Sequence, residues 1–384
     1  MKFIIIYNLV ATTLIGIFHL MLVDISLPLK VASFINILLA VAVYYKSDRK
    51  IHFSSLALFL SVMILLLIQF LYSLDGQLNR LIIDFIGLGL PIAFFLLLSS
   101  GDSKVAVGEG GGKLLTDLML FIIIWSIGVA VFMNILRYSL NVPINLTFGS
   151  PLIALAASIS VYKKQYVLIL TCLLIVLISG KRSIMILTIL CSLTSYIVLL
   201  CDEGSIKAMG RSLITTCSVC FVLGVALTYN WDAVVEVNPK LKKVEYLFSD
   251  DADLYQKSTG RTDEIMQAVE LIDTNSFKGV LLGKGLGTEF DIYLGRYDIS
   301  KEKNNIHFTP LNIYLKYGLL FTLLFYIYFL LLPFQRRLKS FTPINIYCFY
   351  YISFYTLTNY GVAVDYSYWA LLALLVLANK RANT

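Results

Sequence analysis

LILTCLLIVLISGKRSIMILTILCSLTSYIVLL, residues 168–200, is apolar on both sides of Ser179-Gly180-Lys181-Arg182. A water-facing hairpin would show charged residues along the outer stripe of each helix. Here the only charges are the two at the turn, so both arms read as helices in lipid. The same pattern extends outward over the whole chain. Of 384 residues, 58% are hydrophobic and 14% charged, whereas a soluble domain carries about a quarter charged residues. Apolar runs fall at roughly 3–23, 29–45, 53–74, 81–99, 114–136, 144–162, 165–179, 183–201, 212–229, 309–333, 343–361 and 364–379. Most approach the ~20 residues that cross a hydrocarbon core. The expected fold is all-α: a polytopic membrane protein of about twelve transmembrane helices, one domain over 1–384.

The first run, 3–23, is long for a signal-peptide core and lacks a small-x-small cleavage site, so a retained span is expected there. The +7 net charge does not point to nucleic acid, since no soluble basic domain carries it. Cys172, Cys191, Cys217, Cys220, Cys201 and Cys348 lie in or at the end of apolar segments. They read as small packing residues, although Cys217 and Cys220 have CxxC spacing. No metal site and no cofactor are expected.

Cations set the sidedness. With the N-terminus in the cytoplasm, fifteen Lys and Arg residues fall on cytoplasmic pieces and five on the short outer loops (Lys30, Arg80, Arg137, Lys181 and Arg182). That split obeys the positive-inside rule and puts both termini inside. Lys181 and Arg182 then face outward, against the general bias, which asks for a reason beyond topology.

Residues 230–309 make the one large extracytoplasmic segment, between the ninth and tenth helices. Loops of this length are usually functional. It has no cysteine, and its acidic residues outnumber its basic ones. Within it, Thr262 is the expected N-cap of a helix carrying Asp263 and Glu264 in its first turn, where the helix dipole favours acids. Ile265, Val269 and Ile272 form an apolar stripe at helical spacing. Arg261 stands at the mouth of this helix. A guanidinium beside unpaired backbone N–H groups grips phosphate well; the plainer reading is an ion pair with its acidic neighbours.

GKGLG (283–287) follows. Three residues rather than four separate Gly279 from Gly283-Lys284, and no Ser or Thr follows Lys284, so this is not a nucleotide-binding P-loop. Its glycines fit tight turns returning the chain to the membrane. Asp251-Ala-Asp253 matches a metal-binding DxD in form, though a solvated acidic run explains it as well. In NNIHFTPLNIYLKYG (304–318), Thr309 and Pro310 read as N-cap and first helical residue. His307 therefore sits at the outer interface, either as an amphipathic anchor or as a proton acceptor. Lys316, two turns into the helix, either snorkels or faces a polar cavity.

Three separated features, GKRS at an outer helix end, GR with an amphipathic helix and GKGLG in one external loop, and His307 eleven residues before Gly318, combine with about a dozen spans. In this the chain resembles the O-antigen polymerase and O-antigen ligase superfamily of bacterial membrane proteins. The motifs cover about 177–187 and 258–320.

The resemblance implies a GT-C-type glycosyltransferase of the bacterial inner membrane, acting at its outer face in lipopolysaccharide biosynthesis. Its substrates would be undecaprenyl-diphosphate-linked oligosaccharides, with no nucleotide sugar and no essential metal. By motif, Arg182 and Arg261 resemble the diphosphate-binding arginines, with Lys181 adjacent, and His307 resembles the proton-accepting histidine. Lys316 and Lys284 would be supporting cations. Polymerase is the favoured activity and ligation to lipid A–core the alternative; a chain-length regulator and a flippase are conceivable partners. A twelve-span transporter or flippase is the competing class, but two matched halves are not visible in the chain.

Overall fold

The computed structural model describes residues 1–20, 26–45, 53–73, 78–100, 111–140, 150–179, 181–203, 261–272, 276–294, 299–303, 305–332, 342–359 and 365–381. Helices dominate them. In chain order these are α1 (Lys2–Leu20), α2 (Ser26–Tyr45), α3 (Phe53–Tyr72) and α4 (Leu78–Ser99). Then come α5 (Gly111–Leu140), α6 (Leu152–Tyr162), α7 (Tyr166–Ser179) and α8 (Arg182–Glu203). The large loop holds α9 (Arg261–Glu270), α10 (Phe277–Leu282), β1 (Phe290–Leu294) and β2 (Ile299–Lys303). The C-terminal part holds α11 (Thr309–Leu331), α12 (Thr342–Ser353), a 3₁₀ turn (Tyr355–Leu357) and α13 (Tyr366–Arg381).

The all-helical expectation holds except inside the loop. There β1 and β2 pair antiparallel, Phe290 opposite Lys303 and Leu294 opposite Ile299. Among the described residues four helices are long and apolar enough to cross a membrane, namely α4, α5, α8 and α11. Among the described residues, the run at 144–162 holds an eleven-residue helix and that at 343–361 twelve residues before the 3₁₀ turn, whereas the run at 165–179 is helical over fourteen residues, nearly its whole length. Apolarity reports the solvent and not the backbone, so it runs on past a helix end. The run at 212–229, the CxxC pair and Asp251-Ala-Asp253 lie outside the described residues.

The packing is that of a membrane-spanning protein. On α3, Ile64, Leu67, Ile68 and Leu71 are exposed at i, i+3, i+4 and i+7, while Gln69 is buried, as is Ser73 just past the helix end. On α11, Leu319, Leu320, Leu323, Leu324, Ile327 and Leu331 face outward, while Asn312 and Lys316 face inward. Water would reverse this arrangement; lipid permits it.

Two compact units divide the chain. In the unit formed by Met1–Leu118 and Gly260–Thr384, α13 is buried on nearly every side from Tyr366 to Ala378. Its Trp369 meets Phe95 of α4 and Phe325 and Phe329 of α11 edge-on or tilted, which is the favoured geometry for aromatic quadrupoles. In the unit Met119–Thr259, α6 is small and fully packed: Ala154, Ala156, Ala157, Ser158 and Ser160 are all buried. Small residues let helix backbones approach closely in a bilayer. Ser158 and Ser195 of α8 share a hydrogen bond across that approach.

Candidate functional site

The site is built on α9. Asp263 and Glu264 both occupy its first turn, but their fates differ because of the helical period. The buried face carries Glu264 and Ala268, with Ile265, Leu271 and Ile272 packed against Phe290, Ile306, Leu311 and Leu315. Val269, expected on the apolar stripe, is instead exposed. Arg261 is already helical, so Thr262 lies within the first turn and is not the N-cap. On its other side α9 is tied to β1 by a reciprocal pair. Gln267 Nε2 donates to Tyr293 O, and Tyr293 N–H donates to Gln267 Oε1, both at 2.8 Å.

A carboxylate on an apolar face needs partners. Glu264, 2% exposed, finds them in His307. The backbone N–H of His307 donates to Oε1 at 3.3 Å. The imidazole Nδ1 lies 2.9 Å from Oε2 and 3.2 Å from Oε1. Facing a carboxylate, Nδ1 carries the proton, which makes Nε2 the basic nitrogen of the neutral ring. The His307 side chain is about a third exposed while Glu264 is covered, so the imidazole is anchored on its buried side and reaches solvent on the other.

Arg261 lies one turn before Glu264 and is half-buried. Burial pushes its pKa below the usual guanidinium value, and the nearby charge of Glu264 and the Tyr355 hydroxyl work against that fall. Arg261 therefore lies within electrostatic reach of its acidic neighbour Glu264, at the N-terminal end of α9. The Tyr355 ring packs at a tilt against Tyr351, whose hydroxyl donates to Asp365 Oδ2 at 2.7 Å. The 3₁₀ turn is thereby fixed against the start of α13.

The chain from Asn305 to Tyr317 is held from beneath. The α11 helix starts at Thr309 with Phe308 as N-cap, one residue earlier than the Thr-Pro pair suggests. The Thr309 hydroxyl donates to Asn359 O. Asn312 Oδ1 accepts Ile306 N–H at 3.2 Å and its Nδ2 donates to Asn305 Oδ1 at 3.3 Å. Lys316 does not snorkel. It is 2% exposed, and its Nζ lies 2.7 Å from Asp84 Oδ1 on α4 and 3.3 Å from Asn305 Oδ1. A covered ammonium needs such partners, and the Asp84 carboxylate supplies the counter-charge.

GKGLG returns the chain to the helices, as its glycines predict. Gly283, Gly285 and Gly287 all have positive φ. Lys284 and Gly285 donate their backbone N–H groups to Leu315 O at 2.7 and 3.2 Å. Leu286 N–H donates to Ser73 Oγ and Gly287 N–H to Asp84 Oδ2. Gln69 of α3 donates to Leu282 O and Tyr317 O. Lys284 contributes through its backbone while its side chain is exposed. Non-helical backbone among membrane helices is tolerated where protein groups satisfy it, and here they do.

Arg261, His307, Lys284 and Lys316 therefore share one unit, with Arg261 and His307 meeting around Glu264. Arg182 and Lys181 belong to the other unit. There Lys181 O accepts Ile184 N–H and Met185 N–H, so Lys181 closes the start of α8 and Arg182 is its first residue. Both side chains are half-buried, and Gly180 lies outside the described residues.

Reading the sequence missed Glu264, Asp84, Asn305, Asn312 and Gln69. Asp84 carried a signal: a lone acid in the apolar run 81–99, where a charge is expensive and usually functional. Glu264 was hidden because the helix dipole already accounted for it. Among the described residues no group of three or more His, Cys, Asp or Glu side chains could hold a metal ion. Comparison with protein-family models, with curated proteins and with solved structures finds no match for this chain.

Proposed function

We propose that the protein is a glycosyltransferase of the O-antigen polymerase type. It would transfer a growing glycan from undecaprenyl diphosphate onto a lipid-linked repeat unit at the outer face of a bacterial inner membrane, with both termini in the cytoplasm. The observation that carries this reading is the Glu264 carboxylate turned onto His307 Nδ1 at 2.9 Å, with Arg261 one turn away on the same helix.

Such a reaction needs a base for a sugar hydroxyl and cations for a departing diphosphate. In the proposed step the acceptor hydroxyl oxygen bonds to the anomeric carbon of the donor. His307 Nε2 takes the hydroxyl proton, and Glu264 balances the resulting imidazolium. The bond from the anomeric carbon to the diphosphate oxygen breaks, and its electron pair leaves with undecaprenyl diphosphate. Arg261 would stabilise that charge from the α9 N-terminus; that Arg182 and Lys181 also bind diphosphate is what the sequence resemblance implies. Lys284 and Lys316 act in this reading through the backbone turn and the ion pair they make, and no cofactor or metal is invoked.

Purified full-length protein in nanodiscs, given purified lipid-linked repeat units and no nucleotide, should lengthen them into a ladder. Absence of elongation, with transport of the repeat unit instead, would sink the reading in favour of a flippase. Inactivating the gene separates polymerase from ligase on a lipopolysaccharide gel. Core bearing a single repeat means polymerase; bare core with long glycan on the carrier means ligase.

A further inference from the structure

The Asp84–Lys316 pair lies among apolar helices, and ion pairs there contribute little net stability. An apolar pair of similar volume often packs as well or better. What two charges add is direction. Asp84 accepts from three points at once: Lys316 Nζ at 2.7 Å through Oδ1, Gly287 N–H at 2.9 Å through Oδ2, and the Tyr317 hydroxyl at 2.6 Å through its backbone carbonyl. Arg80, one turn earlier on α4, pairs with Glu289 at the exit of the same turn. One end of α4 is therefore the seat of the GKGLG turn.

Lys316 carries the contact upward. Its second partner is Asn305 Oδ1, two residues before His307, and Asn312 holds both Asn305 and Ile306. The arm of α11 that bears these groups, Thr309–Tyr317, is set off from the rest of the helix at Gly318, whose φ of 82° and ψ of 171° are not helical. The regular helix below thus does not fix the direction of the arm. Its contacts do: Gln69 on Tyr317 O, the GKGLG backbone on Leu315 O, and the Asp84–Lys316 pair.

We infer that Asp84 and Lys316 form a latch that sets the His307 segment over the GKGLG turn, making Asp84 a positioning residue for the base of the reaction proposed above, on which the inference rests. Asp84 lies on a different helix, 223 positions before His307 in the chain. It acts by holding Lys316, which holds Asn305.

The test uses full-length protein in nanodiscs carrying the double change Asp84→Asn and Lys316→Met, which removes both charges and keeps an acceptor for Gly287 N–H, with Asp84→Asn alone as a second variant. Three quantities are read: the unfolding midpoint, the rate at which diethyl pyrocarbonate modifies His307 (followed on its own peptide), and glycan elongation. The double variant should keep its midpoint within about 4 °C. Carbethoxylation of His307 should change by about threefold or more, because the imidazole no longer holds its exposure and its Glu264 contact together. Elongation should fall by about 100-fold in kcat with KM little changed, the loss expected when a reacting group is displaced by about 1 Å.

In a His307→Ala background the same double change should leave the residual rate unaltered. Unchanged His307 reactivity in a folded variant overturns the latch whatever the activity. Full elongation by His307→Ala alone overturns the base reading and leaves the latch to be decided by the carbethoxylation rate. Should the double variant fail to fold, Asp84→Asn is judged by the same two outcomes.

Discussion

His307 turns two N–H groups, one from its backbone and one from its ring, onto the single carboxylate of Glu264. That double contact fixes both the position of the ring and its tautomer. Glu264→Gln keeps the volume but removes the counter-charge for the imidazolium formed on proton uptake. Elongation should drop by about 10²-fold or more, the usual worth of a positioned base. His307→Ala should lose a similar factor, and the double variant no more than the worse single one, because the two act as one unit. A product of the two losses in the double variant would show that they act separately. The assay is initial-rate elongation of lipid-linked repeats.

Arg261 calls for a different pair of variants. Its half-buried guanidinium keeps a cation beside Glu264 and Tyr355. Arg261→Ala should cost about 10²–10³ in rate if it stabilises the leaving diphosphate. Arg261→Lys keeps the charge but loses the planar fork, so it should recover only part of that loss. Full activity in Arg261→Ala, with the protein folded, would return this residue to the plain role of neutralising Glu264.

Two glycines give a stability prediction with opposite signs. Gly318 has φ 82° and ψ 171°, and a Cβ there would strike Leu281 O and lie 2.8 Å from Leu282 Cα. The backbone conformation alone costs about 1–3 kcal/mol for any other residue, and the collision adds to it. Gly318→Ala should lower the unfolding midpoint and push α10 off the arm of α11. Gly128, inside α5, is different: a Cβ added there would meet nothing within 4 Å. Gly128→Ala should be neutral or stabilising by about 0.5–1 kcal/mol. Equal midpoints for the two variants would contradict the kink at Gly318.

The helical, lipid-facing character was legible because lipid leaves the outer surface apolar, so hydropathy rises above any soluble composition. The same physics blurs what hydropathy says about helix ends and burial. Tyr366–Ala378 reads as one more apolar run, yet it is the most enclosed helix of its unit, since lipid and protein interior are equally apolar. The α9–GKGLG–His307 order was visible from Thr262, the glycines and the Thr-Pro pair, each within a residue or two of the observed boundary. The contacts that arrange the site were not visible, because Glu264–His307 spans 43 positions and Asp84–Lys316 spans 232. Local rules do not reach that far. Lys316 shows the limit well: its position left snorkelling and a polar cavity equally open, and nothing near it in sequence announced the partner.

Asn8 of α1 and Asn36 of α2 offer a test of the helix packing that is independent of any catalytic reading. Each amide donates to the other's Oδ1, at 2.7 and 2.8 Å. Each also gives its remaining N–H to a carbonyl one turn back, Ile4 O at 2.9 Å and Ala32 O at 3.0 Å. Both side chains are therefore saturated as donors, and neither has water to fall back on. Asn8→Leu strands the Asn36 amide in an apolar setting and should cost about 1–2 kcal/mol, the scale found for hydrogen bonds between membrane helices. Asn36→Leu should cost about the same. The double change to leucine removes both amides together and should be milder than the sum of the two, leaving a coupling energy of about 0.6 kcal/mol or more. Unfolding titrations of the four proteins in mixed detergent micelles measure it. Strict additivity would mean that the α1–α2 contact does not depend on this pair.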